Sequence, residues 1–151
     1  MRKWKLMICD DDDTIHQLSE YMLKRIHFMD RGAEVLHAYS SDECLSLLRE
    51  HPDTALLLLD MVMEDDDSGV STLMKIRGEL NNSQVRVILR SGNTDPDLDK
   101  SLFEKYDLTD YREKTQLTSR STDRMIYSAL RSYYNMTELA GGKGAAERGS
   151  A

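Results

Sequence analysis

The run Ala55-Leu56-Leu57-Leu58-Leu59-Asp60 decides the fold of this chain. Its apolar residues stand in a row without polar alternation, and the row stops on a carboxylate. A strand with one wet face alternates. An unbroken apolar run of this length marks a strand covered on both faces, as in a parallel sheet layered between helices. Working outward, the same unit recurs. Residues 5–9 form a short apolar run closed by Asp10-Asp11-Asp12-Asp13, and residues 34–38, 85–89 and 111–114 supply further strands. Between them lie helical patterns. Residues 14–26 place Ile15, Leu18, Met22 and Ile26 at helical spacing. Ser40 or Ser41 caps a second helix whose apolar side is Cys44, Leu45, Leu47 and Leu48, and His51-Pro52-Asp53 ends it. A third helix covers about residues 70–80, and Pro96 opens a short fourth toward Tyr106. The last starts at Thr118 or Ser119 and carries Ile126, Ala129, Leu130 and Tyr133. Strand and helix alternate five times. The expectation is an α/β, doubly wound parallel sheet with helices on both faces.

Composition narrows the function. The 151 residues are 40% hydrophobic and 31% charged, an ordinary globular mix. A net charge of -7 argues against a surface built for phosphate backbones, so nucleic acid is not an expected partner. Cys9 and Cys44 sit far apart in apolar contexts and are expected as buried thiols of a reducing compartment. His16, His27, His37 and His51 show no metal-ligand spacing and are expected at the surface. No apolar run approaches membrane-spanning length, so no membrane is expected and the cytoplasm is the expected location. After Met136 the chain turns Gly/Ala-rich, which divides it into a folded domain over 1–136 and a flexible linker or tail over 137–151.

In doubly wound sheets ligands bind beyond the carboxyl ends of the strands. Asp10 to Asp13, Asp60, Ser91 and Lys114 all fall just past predicted strand ends, so a parallel sheet brings them to one edge. Each has an ordinary reading alone: a loop aspartate, a turn serine, a surface lysine. Together they supply what phosphoryl transfer to a carboxylate needs. A carboxylate accepts the group. A hard divalent cation on carboxylate oxygens, a lysine ammonium and a short hydroxyl offset its charge. The loop Glu64-Asp65-Asp66-Asp67-Ser68-Gly69 lacks the alternating spacing of a calcium loop and is expected as a solvated neighbour of the site.

Two families fit the first strand. The string Asp10-Asp11-Asp12-Asp13-Thr14 resembles the D-x-D-x-T signature of haloacid-dehalogenase-type phosphatases, which implies Asp10 as nucleophile and Asp12 as acid/base. That alternative leaves Asp60 without a role. Residues 3–135 as a whole resemble a CheY-like receiver domain of a two-component response regulator. This resemblance implies a flavodoxin-like five-stranded parallel sheet of order 2-1-3-4-5. It implies Asp60 as phosphoacceptor, with Mg²⁺ held by Asp10, Asp11, Asp60 and the backbone carbonyl of Val62. Ser91 and Lys114 would contact the phosphoryl group, and Tyr111 would be the switch aromatic beside Ser91. Glu64 and Thr115 stand where receivers usually carry proline, the fourth helix is short, and the loop before Gly69 is one residue longer than usual. The combination of DMVMEDDDSG, ILRSG and DYREKTQLT resembles a subgroup heading multidomain regulators, with an uncharacterised middle domain and often an HD-type phosphodiesterase output. The implied partners are a sensor histidine kinase or phosphotransfer protein and a C-terminal output domain outside this chain. A homodimer through the fourth helix, fifth strand and last helix is also implied. The domain would be a phosphorylation switch of phosphorelay signal transduction, catalysing only its own phosphorylation and dephosphorylation. Apolar Val62, two residues after Asp60, offers an attacking water no hydrogen bond, so a long-lived phosphoryl state is expected.

Overall fold

The Leu56–Leu59 run lies at the centre of a five-stranded, wholly parallel sheet in this computed structural model, which describes residues 2–62, 68–92, 100–113 and 120–140. The strands are β1 (Trp4–Cys9), β2 (Ala33–Ala38), β3 (Thr54–Asp60), β4 (Arg86–Ser91) and β5 (Asp110–Glu113). The helices are α1 (Asp13–Lys24), α2 (Ser41–Glu50), α3 (Ser68–Gly78), α4 (Ser101–Tyr106) and α5 (Arg120–Tyr134). The strand order is β2-β1-β3-β4-β5, the doubly wound order the resemblance implies.

Every residue of β3 is buried because alternate side chains enter two separate cores. Leu57 and Leu59 join Met7, Cys9, Val87 and Leu89 beneath Cys44, Leu45, Leu48, Leu73 and Ile76 of α2 and α3. Leu56 and Leu58 join Leu6, Ile8 and Ile88 beneath Met22, Leu23, Met125, Ile126 and Leu130 of α1 and α5. Full burial of one such leucine contributes about 1.5–3 kcal/mol, so a sheet coated on both faces is held from both sides. Cys9 and Cys44 are free, buried thiols. The hydrogen bond from Cys44 and the burial push the Cys9 thiol far up, which leaves it unreactive.

Local chemistry sets the helix ends. The Asp12 carboxylate accepts the Thr14 amide at 2.9 Å and caps α1, and Asp13 follows in the first turn, where negative charge suits the helix dipole. Ser40 caps α2 by accepting the Glu43 amide at 3.1 Å. At the far edge of the sheet, Arg77 of α3 donates to the carbonyls of Asn82, Val85, Tyr106 and Asp107 at 2.7–3.0 Å. One planar guanidinium thereby ties α3, the start of β4 and the end of α4 together. On the other face, the Arg31 guanidinium stacks 3.7 Å from the Trp4 ring and pairs with Glu138 at 2.6 Å.

Several expectations need correction. The buried stripe of α1 is His16, Ser19, Met22 and Leu23, while Leu18 is 48% exposed. The helix is turned from the apolar spacing because His16 and Ser19 find polar partners inside. His16 is therefore a core residue, 1% exposed, and not a surface one. Strand β4 runs to Ser91 instead of stopping at Leu89, since Arg90 pairs with Asp60 and with Arg112, and Ser91 pairs with Glu113. Tyr133, by contrast, packs into the α1–α5 core at 8% exposure with Ile126, Ala129 and Leu130, as its helical spacing predicts. After α5 the chain continues in a π-helical turn, Asn135–Leu139, so helical structure passes Met136. Residues 141–151 lie outside the described residues.

Candidate functional site

Strands β1 and β3 are neighbours, with Cys9 opposite Leu59. One residue further on, Asp10 and Asp60 emerge side by side, 0% and 2% exposed, with Asp11 exposed above them. One ligand oxygen from each of these three carboxylates lies within 4.8 Å of the others. The Asp10 carboxylate accepts the Asp12 amide at 2.9 Å, and the Asp60 carboxylate accepts the Val62 amide at 3.2 Å. These bonds orient both carboxylates from the chain just beyond them. Hard oxygen donors converging on one point fit Mg²⁺, which takes one or two carboxylates and completes its shell with water and phosphate oxygens.

Gly69, at the start of α3, sits directly against the backbone of Asp60 and Met61. Gly69 donates its amide to the Met61 carbonyl at 3.1 Å. A Cβ at position 69 would run into the Asp60 carbonyl oxygen and come within 2.6 Å of the Met61 Cα. The backbone behind Asp60 therefore admits only glycine there.

A polar column supports Asp10 from α1. His16 Nε2 stands 2.7 Å from the Asp10 carbonyl oxygen, and His16 Nδ1 stands 2.7 Å from His37 Nδ1. A carbonyl only accepts, so Nε2 carries a proton and donates. The two Nδ1 atoms then share a single hydrogen bond. His37 turns its other nitrogen to Glu20 at 3.4 Å. That hydrogen bond, with Lys24, holds the Glu20 carboxyl below its usual range. Tyr39 stacks on the His16 ring at 3.9 Å and donates its hydroxyl to Asp13 at 3.0 Å. No sequence spacing marks this column, because its members come from α1, β2 and the residue after β2.

Arg90 is the second residue that sequence patterning misses. It is the register partner of Asp60, and its side chain is 1% exposed. Burial lowers it to about 10, against the pull of the Asp10 and Asp60 charges, so it remains a cation at neutral pH. One terminal nitrogen donates to Ser19 Oγ at 2.9 Å, while Nε and the other terminal nitrogen meet no hydrogen-bond acceptor among the described residues. The available cue is alternation along β4. Arg86, Ile88 and Arg90 share one face, and Asp60 ends the neighbouring strand on it.

Ser91 ends β4 at the same edge, 9% exposed, and Tyr111 on β5 is half-buried against the α2–α4 core. Val62 follows Asp60 with its side chain 49% exposed. Lys114, Glu64 and Thr115 lie outside the described residues.

Residues 6–124 match the model of the response regulator receiver domain. The chain belongs to that family. The receiver shares 35% identity over 133 residues with 3′3′-cGAMP-specific phosphodiesterase 2 of Vibrio cholerae, across 88% of this chain. That alignment spans 26% of the relative, so this chain matches about a quarter of its length. Among solved structures, the signal receiver domain of an HD domain-containing protein from Pseudomonas fluorescens superposes with a TM-score of 0.75 at 17% identity, covering 91% of this chain and 94% of that one. A response regulator receiver domain protein from Clostridium thermocellum gives 0.65 at 27% identity, covering 91% and 98%. A receiver domain is a phosphoacceptor switch of two-component signalling. The phosphatase alternative finds no support. Its acid/base, Asp12, is here engaged as the cap of α1. No helix among the described residues is long and apolar enough to cross a membrane.

Proposed function

We propose that this receiver accepts a phosphoryl group on Asp60 from the phosphohistidine of a sensor histidine kinase or phosphotransfer protein. The observation that carries the reading is the convergence of Asp10, Asp11 and Asp60 at the carboxyl edge of adjacent strands. An Asp60 carboxylate oxygen attacks phosphorus, the bond from phosphorus to the imidazole nitrogen breaks, and the imidazole leaves with the electron pair. Asp10, Asp11, Asp60 and the Val62 carbonyl would hold Mg²⁺, which when bound would offset charge on the phosphoryl oxygens. Ser91 and Lys114 take the remaining phosphoryl oxygens. Ser91 moves toward the new charge, and Tyr111 turns inward behind it, biasing an equilibrium the unphosphorylated domain already samples.

The domain works in the cytoplasm and passes this change through the α4–β5–α5 face, to a second copy or to an output domain. The Vibrio relative is a phosphodiesterase for a cyclic dinucleotide. The output controlled here is of that class.

The test is incubation with acetyl phosphate and Mg²⁺, followed by mapping of the modified residue by mass spectrometry. One phosphoryl group on Asp60, absent from Asp60→Asn and without Mg²⁺, is expected. Stoichiometric labelling of Asp60→Asn would overturn the assignment. Beryllofluoride should shift the Tyr111 side-chain resonances, and unchanged rotamer populations would remove Tyr111 from the switch.

A further inference from the structure

Asp10, just past β1, and Asp60 and Arg90, near the ends of β3 and β4, continue the same face of the sheet, beneath α1 and α5. The face follows from alternation: Leu6 and Ile8 precede Asp10, Leu56 and Leu58 precede Asp60, and Ile88 precedes Arg90, all in the α1–α5 core. Arg90 and Asp60 are register partners on neighbouring strands. The guanidinium is sealed from water at 1% exposure and tethered to Ser19 of α1 at 2.9 Å.

A buried cation with two nitrogens lacking hydrogen-bond acceptors among the described residues is costly to keep, and an apolar side chain would fill the space without that cost. What offsets the cost is the field of the acidic pocket, since both Asp10 and Asp60 stabilise the Arg90 charge. The reciprocal effect follows: the Arg90 charge stabilises the two carboxylate charges by the same interaction. It also opposes any further cation entering the pocket.

We propose that Arg90 is a positioning residue of the receiver site, a resident internal cation that sets how strongly the acidic pocket attracts a divalent metal. Arg90 touches neither the phosphoryl group nor the metal. It lies below the carboxylates and acts through them. With Arg90 in place, one positive charge already faces the Asp10 and Asp60 end of the pocket, and metal affinity is held below what the carboxylates alone would give. The inference rests on the metal-site reading above.

The experiment measures Mg²⁺ affinity by calorimetry at fixed pH and salt, with the Asp11 and Asp12 amide resonances as a second readout, in the unaltered chain, Arg90→Met and Arg90→Lys. Removing one buried charge beside the pocket is expected to tighten Mg²⁺ binding of Arg90→Met by about fivefold or more. Arg90→Lys keeps a cation there and stays within about twofold of the unaltered chain. Equal or weaker binding by Arg90→Met overturns the inference, as does tightening by Arg90→Lys to the same degree, which would assign the effect to shape. Should Arg90→Met not fold, the Arg90 Nε–H resonance of the unaltered chain decides. It shifts on adding Mg²⁺ if the two charges interact, and an unmoved resonance at saturation overturns the proposal. Absence of Mg²⁺ binding by the unaltered chain defeats the metal-site reading itself, which separates the two failures.

Discussion

The Cα of Gly69 lies so close to Asp60 that a Cβ on it would overlap the Asp60 carbonyl oxygen. The first turn of α3 therefore rests on the backbone of the proposed phosphoacceptor. Gly69→Ala must push that backbone aside. It is expected to cost about 1–3 kcal/mol in urea unfolding and to move the Met61 and Val62 amide resonances. Unfolding at the unaltered urea midpoint would show that the contact relaxes freely.

Ligand linkage gives a thermal prediction. Mg²⁺ at a hundred times its Kd should stabilise the folded domain by about 2.7 kcal/mol, visible as a raised Tm. Asp10→Asn removes one of the clustered carboxylates and should lose that gain. A Mg²⁺-dependent rise in Asp10→Asn equal to that of the unaltered chain would remove Asp10 from the ligand set.

His16→Phe keeps a ring against Tyr39 but deprives the Asp10 carbonyl and His37 of their partner. Removing the buried donor to the Asp10 carbonyl should cost about 1–3 kcal/mol. Mg²⁺ affinity should fall as well, because Asp10 loses a support. Calorimetry on the folded variant separates the two effects.

Arg77→Met withdraws donors from four carbonyls at the opposite edge of the sheet. A loss of about 1–3 kcal/mol is expected from the part-buried carbonyls left without a donor. Phosphorylation of the fraction that remains folded should be unchanged, since the staple lies far from the carboxyl edge.

Acid stability should report Asp53. Burial raises its carboxyl, but the Lys5 hydrogen bond and charge outweigh this, so the folded value lies below the ordinary one. A depressed carboxyl contributes stability above its unfolded pKa of about 3.9 and loses it as pH falls through the folded value. Asp53→Asn should lower stability at neutral pH by less than about 1 kcal/mol, given the partial exposure of the pair. Its stability should also fall less steeply below about pH 4. A parallel acid limb in both proteins would argue against the Lys5 pairing.

The strand–helix alternation was legible because period and run length follow directly from burial. Leu56–Leu59 had to lie between two layers, and a carboxylate just after such a strand had to appear at the binding edge. The capping of α1 by Asp12 has a similarly local cause, since its partner is two residues away. The place of His16 was not legible. Its burial depends on the Asp10 carbonyl and on His37, 21 residues further along, which no local pattern relates to it. The apolar spacing of Ile15, Leu18, Met22 and Ile26 pointed to a neighbouring stripe. The polar contacts turned the helix instead.

By itself, then, the sequence determined the layered parallel fold and the meeting of Asp10, Asp11, Asp60 and Ser91 at one edge, because strand direction and periodicity leave little choice. Only the tertiary structure decided what stands behind those residues. The His16 support, the glycine-only contact at Asp60 and the buried Arg90 charge all depend on strand register and helix rotation. Those quantities are set by how whole surfaces fit together, and neighbours in the chain do not encode them.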